Sequence, residues 1–151
     1  MKEELTVKAI ENGTVIDHIQ ADKLYKILSI IGIENFDTPV FFGNNLPSKK
    51  YGTKAIIKIA DRFPSDDDAN KIALIDPKAV INIIKDFKVV DKKQVQLPEK
   101  IEGFVKCFNP KCITNHEKVS TKFTVVKKDG KIGLKCRYCE KITWEDNIEI
   151  I

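Results

Sequence analysis

Cys107-Phe-Asn-Pro-Lys-Cys112, answered by Cys136-Arg-Tyr-Cys139, is the stretch that decides how the second half of this chain folds. These are the four cysteines of the sequence, set as two close pairs with residues 113–135 between them. Each pair can close a tight loop around one edge of a metal, so the pattern matches a tetrahedral zinc site with four cysteine ligands. Two disulfides or four free core thiols are the competing readings. The N-terminus, Met1-Lys-Glu-Glu-Leu5, has no apolar signal segment, and such short loops fit disulfide geometry poorly. Four protein ligands leave no open coordination position, which makes the site structural and not catalytic.

Working outward, 151 residues allow one ordinary domain or two small ones. A 42% hydrophobic content supports a true core, while 32% charged residues and only short apolar runs exclude a membrane-spanning chain. A reducing cytoplasm suits four thiolates. Residues 1–97 carry 15 basic against 14 acidic side chains, and residues 98–151 carry 11 against 8. Lys106, Lys111, Lys135, Arg137 and Lys141 crowd the cysteines. Much of that charge would balance a dianionic metal–thiolate centre, so bulk charge does not favour nucleic acid as a partner. A zinc-ribbon nucleic-acid-binding protein remains the alternative, with Lys127, Lys128, Lys131 and Arg137 as a phosphate-tracking surface.

In the first half, Leu5–Glu11 and Thr14–Ile19 read as strands around Asn12-Gly13, a hairpin signal or a bulge in one bent strand. Strict alternation puts Thr14, Ile16 and His18 on one face and Val15, Asp17 and Ile19 on the other. Leu24, Ile27, Leu28 and Ile31 form the stripe of an amphipathic helix ended by Gly32. Val40–Phe42 reads as a short strand, Gly43–Ser48 as a loop, and Lys54–Arg62 as a strand. Ser65 is the expected N-cap of a helix running to about Ile75, its first turn filled by Asp66, Asp67 and Asp68. Ala79–Ile84 and Phe87–Val90 are expected strands joined at Lys85-Asp86, and Asp91–Lys100 an expected linker. The first half, 1–97, is thus an α+β, ferredoxin-like antiparallel sheet with two helices on one face. Residues 98–151 read as a small all-β zinc-binding domain, with a strand over Ile101–Lys106 and a hairpin turn at Lys128-Asp-Gly130. About 50 residues is a marginal core, so a metal staple belongs there.

The chain has neither a phosphate-binding glycine loop nor a zinc-hydrolase or zinc-deaminase signature, and its two histidines, His18 and His116, lie in no nucleophile–base arrangement. An enzyme is not expected. Asp17-His18 at a strand end, Lys54 and Lys58 on one strand face, and Lys92 could suit a nucleotide: the carboxylate for ribose hydroxyls, the cations for phosphates. On spacing alone, a solvated sheet face carrying surface ion pairs is the simpler reading.

Asn12-Gly-Thr-Val-Ile-Asp-His-Ile19, Asn45-Leu-Pro-Ser48, the Lys54…Ile57-Lys-Ile59 strand and the Cys107/Cys112…Cys136-Arg-Tyr-Cys-Glu-Lys141 frame together resemble the regulatory chain of aspartate carbamoyltransferase. The resemblance runs essentially end to end. It implies a non-catalytic subunit in pyrimidine biosynthesis, with an N-terminal allosteric domain that binds CTP, ATP and UTP and pairs with a second regulatory chain. A C-terminal zinc domain would dock on the catalytic chain. Position by position, it implies Asp17 at the ribose, His18 near the phosphates and Lys58 on the ribose and pyrimidine side. Asn82 and Lys92 would reach the phosphates, and Lys54 would sit at the rim. Ala9, Ile10, Ile84, Phe87 and Val89 would enclose the base. Phe87, Ala60 and Val80 depart from the residue types common at their positions, tyrosine, acidic and hydroxyl respectively, and bear on base selectivity.

Overall fold

In the computed structural model, which describes residues 9–49 and 52–151, the chain separates into two units, 1–97 and 98–151. Strand β1 (Gly13–Ile19) is the axis of the first. It lies between β3 (Gly52–Ala60) and β4 (Val80–Lys85), antiparallel to both, with β2 (Val40–Ser48) outside β3 and β5 (Lys88–Gln94) outside β4. Helices α1 (Leu24–Ile31) and α2 (Asp66–Ile75) complete a β-α-β-β-α-β order with β5 added at the edge. The sheet order β2-β3-β1-β4 is that of a ferredoxin-like fold.

The core follows from alternation along these strands. Ile16 stands opposite both Ile57 and Ile81, so one isoleucine row crosses three strands, each at most 3% exposed. Leu24, Ile27 and Leu28 of α1 and Ile72, Ala73 and Ile75 of α2 close over that row. Both helices therefore cover one face of the sheet, and each buried isoleucine contributes about 1.5–3 kcal/mol. Gly32 ends α1 in the left-handed conformation (φ 71°), donating to Leu28 and Ser29 carbonyls. Ser65 caps α2 reciprocally with Asp68: Asp68 N–H donates to Ser65 Oγ and Ser65 N–H to Asp68 Oδ2, each at 3.1 Å. Buried Asp76 at the other end accepts from Gln20 N–H (2.8 Å) and Lys78 N–H (3.0 Å), tying α2 to the turn that enters α1.

Several expectations are corrected. The Asn12-Gly13 hairpin does not form: residues 9–12 are not strand, and β1 already has a partner on each side. The Leu5–Lys8 part of that first expected strand lies outside the described residues, as do residues 50 and 51 of the expected turn. Gly13 itself opens β1 with φ 143°, and an added Cβ would lie 2.1 Å from the Ile59 carbonyl oxygen. Gly43–Ser48 is strand, not loop. It continues β2 through a register shift between Gly43 and Leu46, and Pro47 is tolerated because β2 is an edge. The β4–β5 turn is Asp86-Phe87, with φ of 52° and 65°, not Lys85-Asp86. Phe87 is thereby a turn residue, and β5 runs on to Gln94 through what composition marked as linker.

The second unit is all-β. A four-stranded sheet has the order β10 (Ile142–Trp144), β9 (Lys131–Cys136), β8 (Lys122–Lys128), β6 (Lys100–Glu102). A two-stranded ribbon pairs β7 (Val105–Lys106) with β11 (Glu149–Ile150). The single strand expected over Ile101–Lys106 is thus broken at Gly103 into pieces serving different sheets. The β8–β9 turn is Asp129-Gly130, both at positive φ. Among the described residues no helix is long and apolar enough to cross a membrane.

Candidate functional site

The face of the first sheet opposite the helices carries most of the residues singled out from the sequence. Register decides this. Lys92 stands opposite Asn82, Asn82 opposite Val15, Val15 opposite Lys58, and Lys58 opposite Phe41, one row across all five strands. Directly opposed residues share a face, so two cations and an amide line one side of the sheet. A second row joins Val89 to Ile84, and Ile84 packs with Ile10 and Val15 in a small apolar cluster extended by Phe41, Ile56 and Ala60. Val89 and Lys92 are an odd number of residues apart and would point to opposite faces of a regular strand. The register shift between Ile83 and Ile84 puts both on the open face.

A comparable irregularity in β1 shapes the other end. The pairing slips between Ile16 and Ile19, and His18 takes φ 58°. Ile19 is thereby turned into the core with Ile16, against the strict alternation read from the sequence. Asp17 Oδ1 accepts from His18 N–H at 2.7 Å and from Lys54 Nζ at 2.9 Å. Burial raises the Asp17 carboxyl pKa, but the Lys54 ammonium and the His18 N–H outweigh it and hold it below the usual value. Burial lowers the Lys58 pKa, partly opposed by the Asp17 charge. An anion brought beside this partly buried ammonium would favour its charged form further. The His18 ring Nδ1 is buried with no hydrogen-bond partner among the described residues.

Residues 10–12 are tied to the sheet at the end where β1 begins. Phe87 N–H donates to Glu11 O (2.9 Å), Asp86 N–H to Asn12 Oδ1 (3.2 Å), and Asp61 N–H to Asn12 O (2.9 Å). Ile10 is thereby buried beside Ile84, while Ala9, Phe87 and Val89 remain exposed. Sequence reasoning missed Ile56, Phe41 and the Asn12 clamp. The even spacing of Lys54, Ile56, Lys58 and Ala60 was the available signal for Ile56; nothing local announced the clamp.

In the second unit the four cysteine sulfurs lie within 4.8 Å of one another. Cys107 and Cys139 are 3.6 Å apart and Cys112 and Cys136 3.7 Å apart, so the close contacts run between the two loops. A tetrahedron with metal–sulfur bonds of about 2.3 Å has edges of about 3.8 Å, so the spacing fits a four-coordinate ion. Cys107 follows β7, Cys112 precedes a 3-10 turn, Cys136 ends β9, and Cys139 sits in the turn into β10. Tyr138 N–H (3.4 Å) donates to Cys136 and Thr114 Oγ1 (3.2 Å) to Cys112. Asn115 Nδ2 pins the first loop through the Cys107 and Asn109 carbonyls. His116 is taken up by the Pro110 carbonyl at 2.8 Å. Burial pushes the Cys107 and Cys136 thiols up. Burial also opposes ionisation of Cys139, but the Lys141 N–H, the Asn109 side chain and the neighbouring thiols bring it down to about 7. A divalent cation would deprotonate all four, because coordination stabilises the thiolate.

An α+β sandwich with a cationic open face, joined to a β module gathered around four cysteines, defines a two-part binding chain. Residues 5–96 match the family described as aspartate carbamoyltransferase regulatory chain, allosteric domain, and residues 99–149 match the metal binding domain of the same chain. Similar proteins named aspartate carbamoyltransferase regulatory chain occur in Phocaeicola vulgatus, Parabacteroides distasonis and Pyrococcus horikoshii. The first is 47% identical, over 99% of this chain and 96% of its own length. The second is 50% identical, over 97% and 96%. The third is 48% identical, over 96% of each. The chain belongs to the aspartate carbamoyltransferase regulatory chain family. It is accordingly a non-catalytic subunit, with a metal-binding C-terminal domain and a catalytic chain as partner.

Proposed function

We propose that the open face of the first sheet binds nucleoside triphosphates, CTP, ATP and UTP, and that this binding controls a catalytic chain docked on the second unit. The observation that carries the reading is the Lys92–Asn82–Val15–Lys58 row with the Asp17–Lys54 pair beside it, further along β1 and β3. Lysines around one carboxylate suit a triphosphate on a ribose, and the apolar cluster of Ile10, Val15 and Ile84 offers a surface for a base. Residues 1–97 form the allosteric domain in this reading and residues 98–151 the docking domain. Zinc fills the cysteine site, matched by ligand type and spacing. Two regulatory chains pair, a role for which the long β2 offers an open sheet edge. The complex works in a reducing cytoplasm, where the thiolates stay available to the metal.

Control arises because a nucleotide with different affinities for two states of the assembly shifts their equilibrium, with couplings of about 1–3 kcal/mol in such systems. Equilibrium titration of the full-length chain with CTP and ATP tests the site. Saturable binding is expected, and its loss in an Asp17→Ala/Lys92→Ala double variant that retains the wild-type fold. Equal binding by wild type and variant refutes the assignment of these residues.

A further inference from the structure

The helix-covered side of the same sheet contains a cavity of about 520 Å³ that nucleotide binding on the open face does not use. Its floor is aliphatic: Ile16, Ile59 and Ile72, each at most 6% exposed. The cavity reaches the segment where β3 leaves the sheet for α2, with Phe36 and Phe63 in its lining. A volume of this order with an apolar floor and a few polar rim groups is typical of a small-molecule site.

The polar groups at the rim select the ligand. Arg62 is the one cationic lining residue, and it is already committed: its guanidinium lies 4.2 Å from the centre of the Phe36 ring and 3.7 Å from Asp37 Oδ1. The Thr14 hydroxyl donates to the Arg62 carbonyl at 2.6 Å, which leaves its oxygen to act as an acceptor. Asp68 keeps acceptor capacity beyond its bond from Ser65 N–H, and the Asp61 carboxylate has no partner among the described residues. Phe63, half exposed, already has Lys85 Nζ 5.9 Å from its ring centre and adds apolar edge to the lining. Two carboxylates, Asp61 and Asp68, stand against the one guanidinium at the rim, which is already stacked on Phe36, so the rim calls for a donor with positive charge.

We propose that this cavity is a second ligand site, taking a small amphipathic primary amine: an apolar body on the isoleucine floor and an ammonium group at Asp61 and Asp68. The site lies on the reverse of the strands that build the open face. Thr14, Ile16 and Ile59 alternate along them with Val15, Asp17 and Lys58.

Calorimetric titration of the full-length chain with 2-phenylethylammonium and with the similarly shaped 3-phenylpropanoate tests this. The amine should bind saturably and the carboxylate at least about fivefold more weakly. Asp61→Asn should weaken the amine about three- to fivefold, and it keeps the fold because asparagine accepts the φ of 58° at this position. Methyl NMR should show shifts at Ile16, Ile59 and Ile72 on amine binding. Absence of saturable amine binding, tighter binding of the carboxylate, unchanged affinity in Asp61→Asn, or shifts confined to the opposite sheet face would each overturn the proposal.

Discussion

The two units solve the same problem with different chemistry. The first buries a continuous layer, mostly isoleucine, leucine and alanine, from three strands and two helices around Ile16 and Ile57. The second buries Ile101, Val105, Phe123, Ile132 and Leu134 alongside Cys107, Cys112 and Cys136. A short all-β segment cannot remove enough apolar surface from water to offset its conformational entropy, so cross-linking through a metal takes up the difference. The first unit can therefore hold its shape while charged residues are placed on its free face. The second is expected to hold its shape only while its cysteines are held.

Removing the metal should break this contrast most visibly. A chelator, or Cys112→Ser, is expected to unfold residues 98–151 while the first sheet stays protected in hydrogen exchange, since structural zinc supplies about 10–16 kcal/mol in comparable small domains. Retention of both units after verified metal loss would contradict the staple. Ile57→Ala is the converse experiment. It should cost about 2–5 kcal/mol in denaturant unfolding of the first unit, with metal content unchanged. Smaller again, Ser65→Ala should cost about 1 kcal/mol by removing one half of the α2 capping box.

The last comparison lies within the first unit, between its core and its open face. Asp17 has a depressed pKa in the folded state, so its contribution is present above its unfolded pKa, near 3.8, and lost as pH falls through the folded value. The stability gap between wild type and Asp17→Asn should thus close in acid. Lys58 behaves oppositely at neutral pH. Its folded pKa is also depressed, but for a lysine this makes the charged form a cost, relieved as pH rises toward its ordinary value of 10.5. Lys58→Met should therefore leave the midpoint of denaturant unfolding unchanged or raised at pH 7 while weakening nucleotide binding. A large loss of stability in Lys58→Met would mean that this lysine is part of the scaffold.

Much of the fold was legible from local chemistry. The i, i+3, i+4, i+7 stripe from Leu24 to Ile31, the Gly32 stop and the Ser65 cap each depend on residues within a turn or two. The alternation of Ala55, Ile57 and Ile59 against Lys54 and Lys58 was equally plain. Misreadings fell where a neighbour overrides composition. Gly43–Ser48 contains two asparagines and a proline, yet it is strand because β3 supplies its partner. Asp91–Gln94 reads as linker, yet β4 holds it in the sheet. Asn12-Gly13 has hairpin chemistry, but β1 is already bounded by β3 and β4.

By itself, the sequence determined the α+β class, both helices, the four-cysteine metal set and the resemblance to the regulatory chain family, because spacing and residue type suffice for these. Tertiary structure alone decided which side chains meet. The slips in register at Asp17–His18 and between Val89 and Lys92 send Ile19 into the core and bring Val89 and Lys92 onto one face. A single inserted residue reverses every side chain beyond it, and only pairing with another strand fixes where that insertion falls.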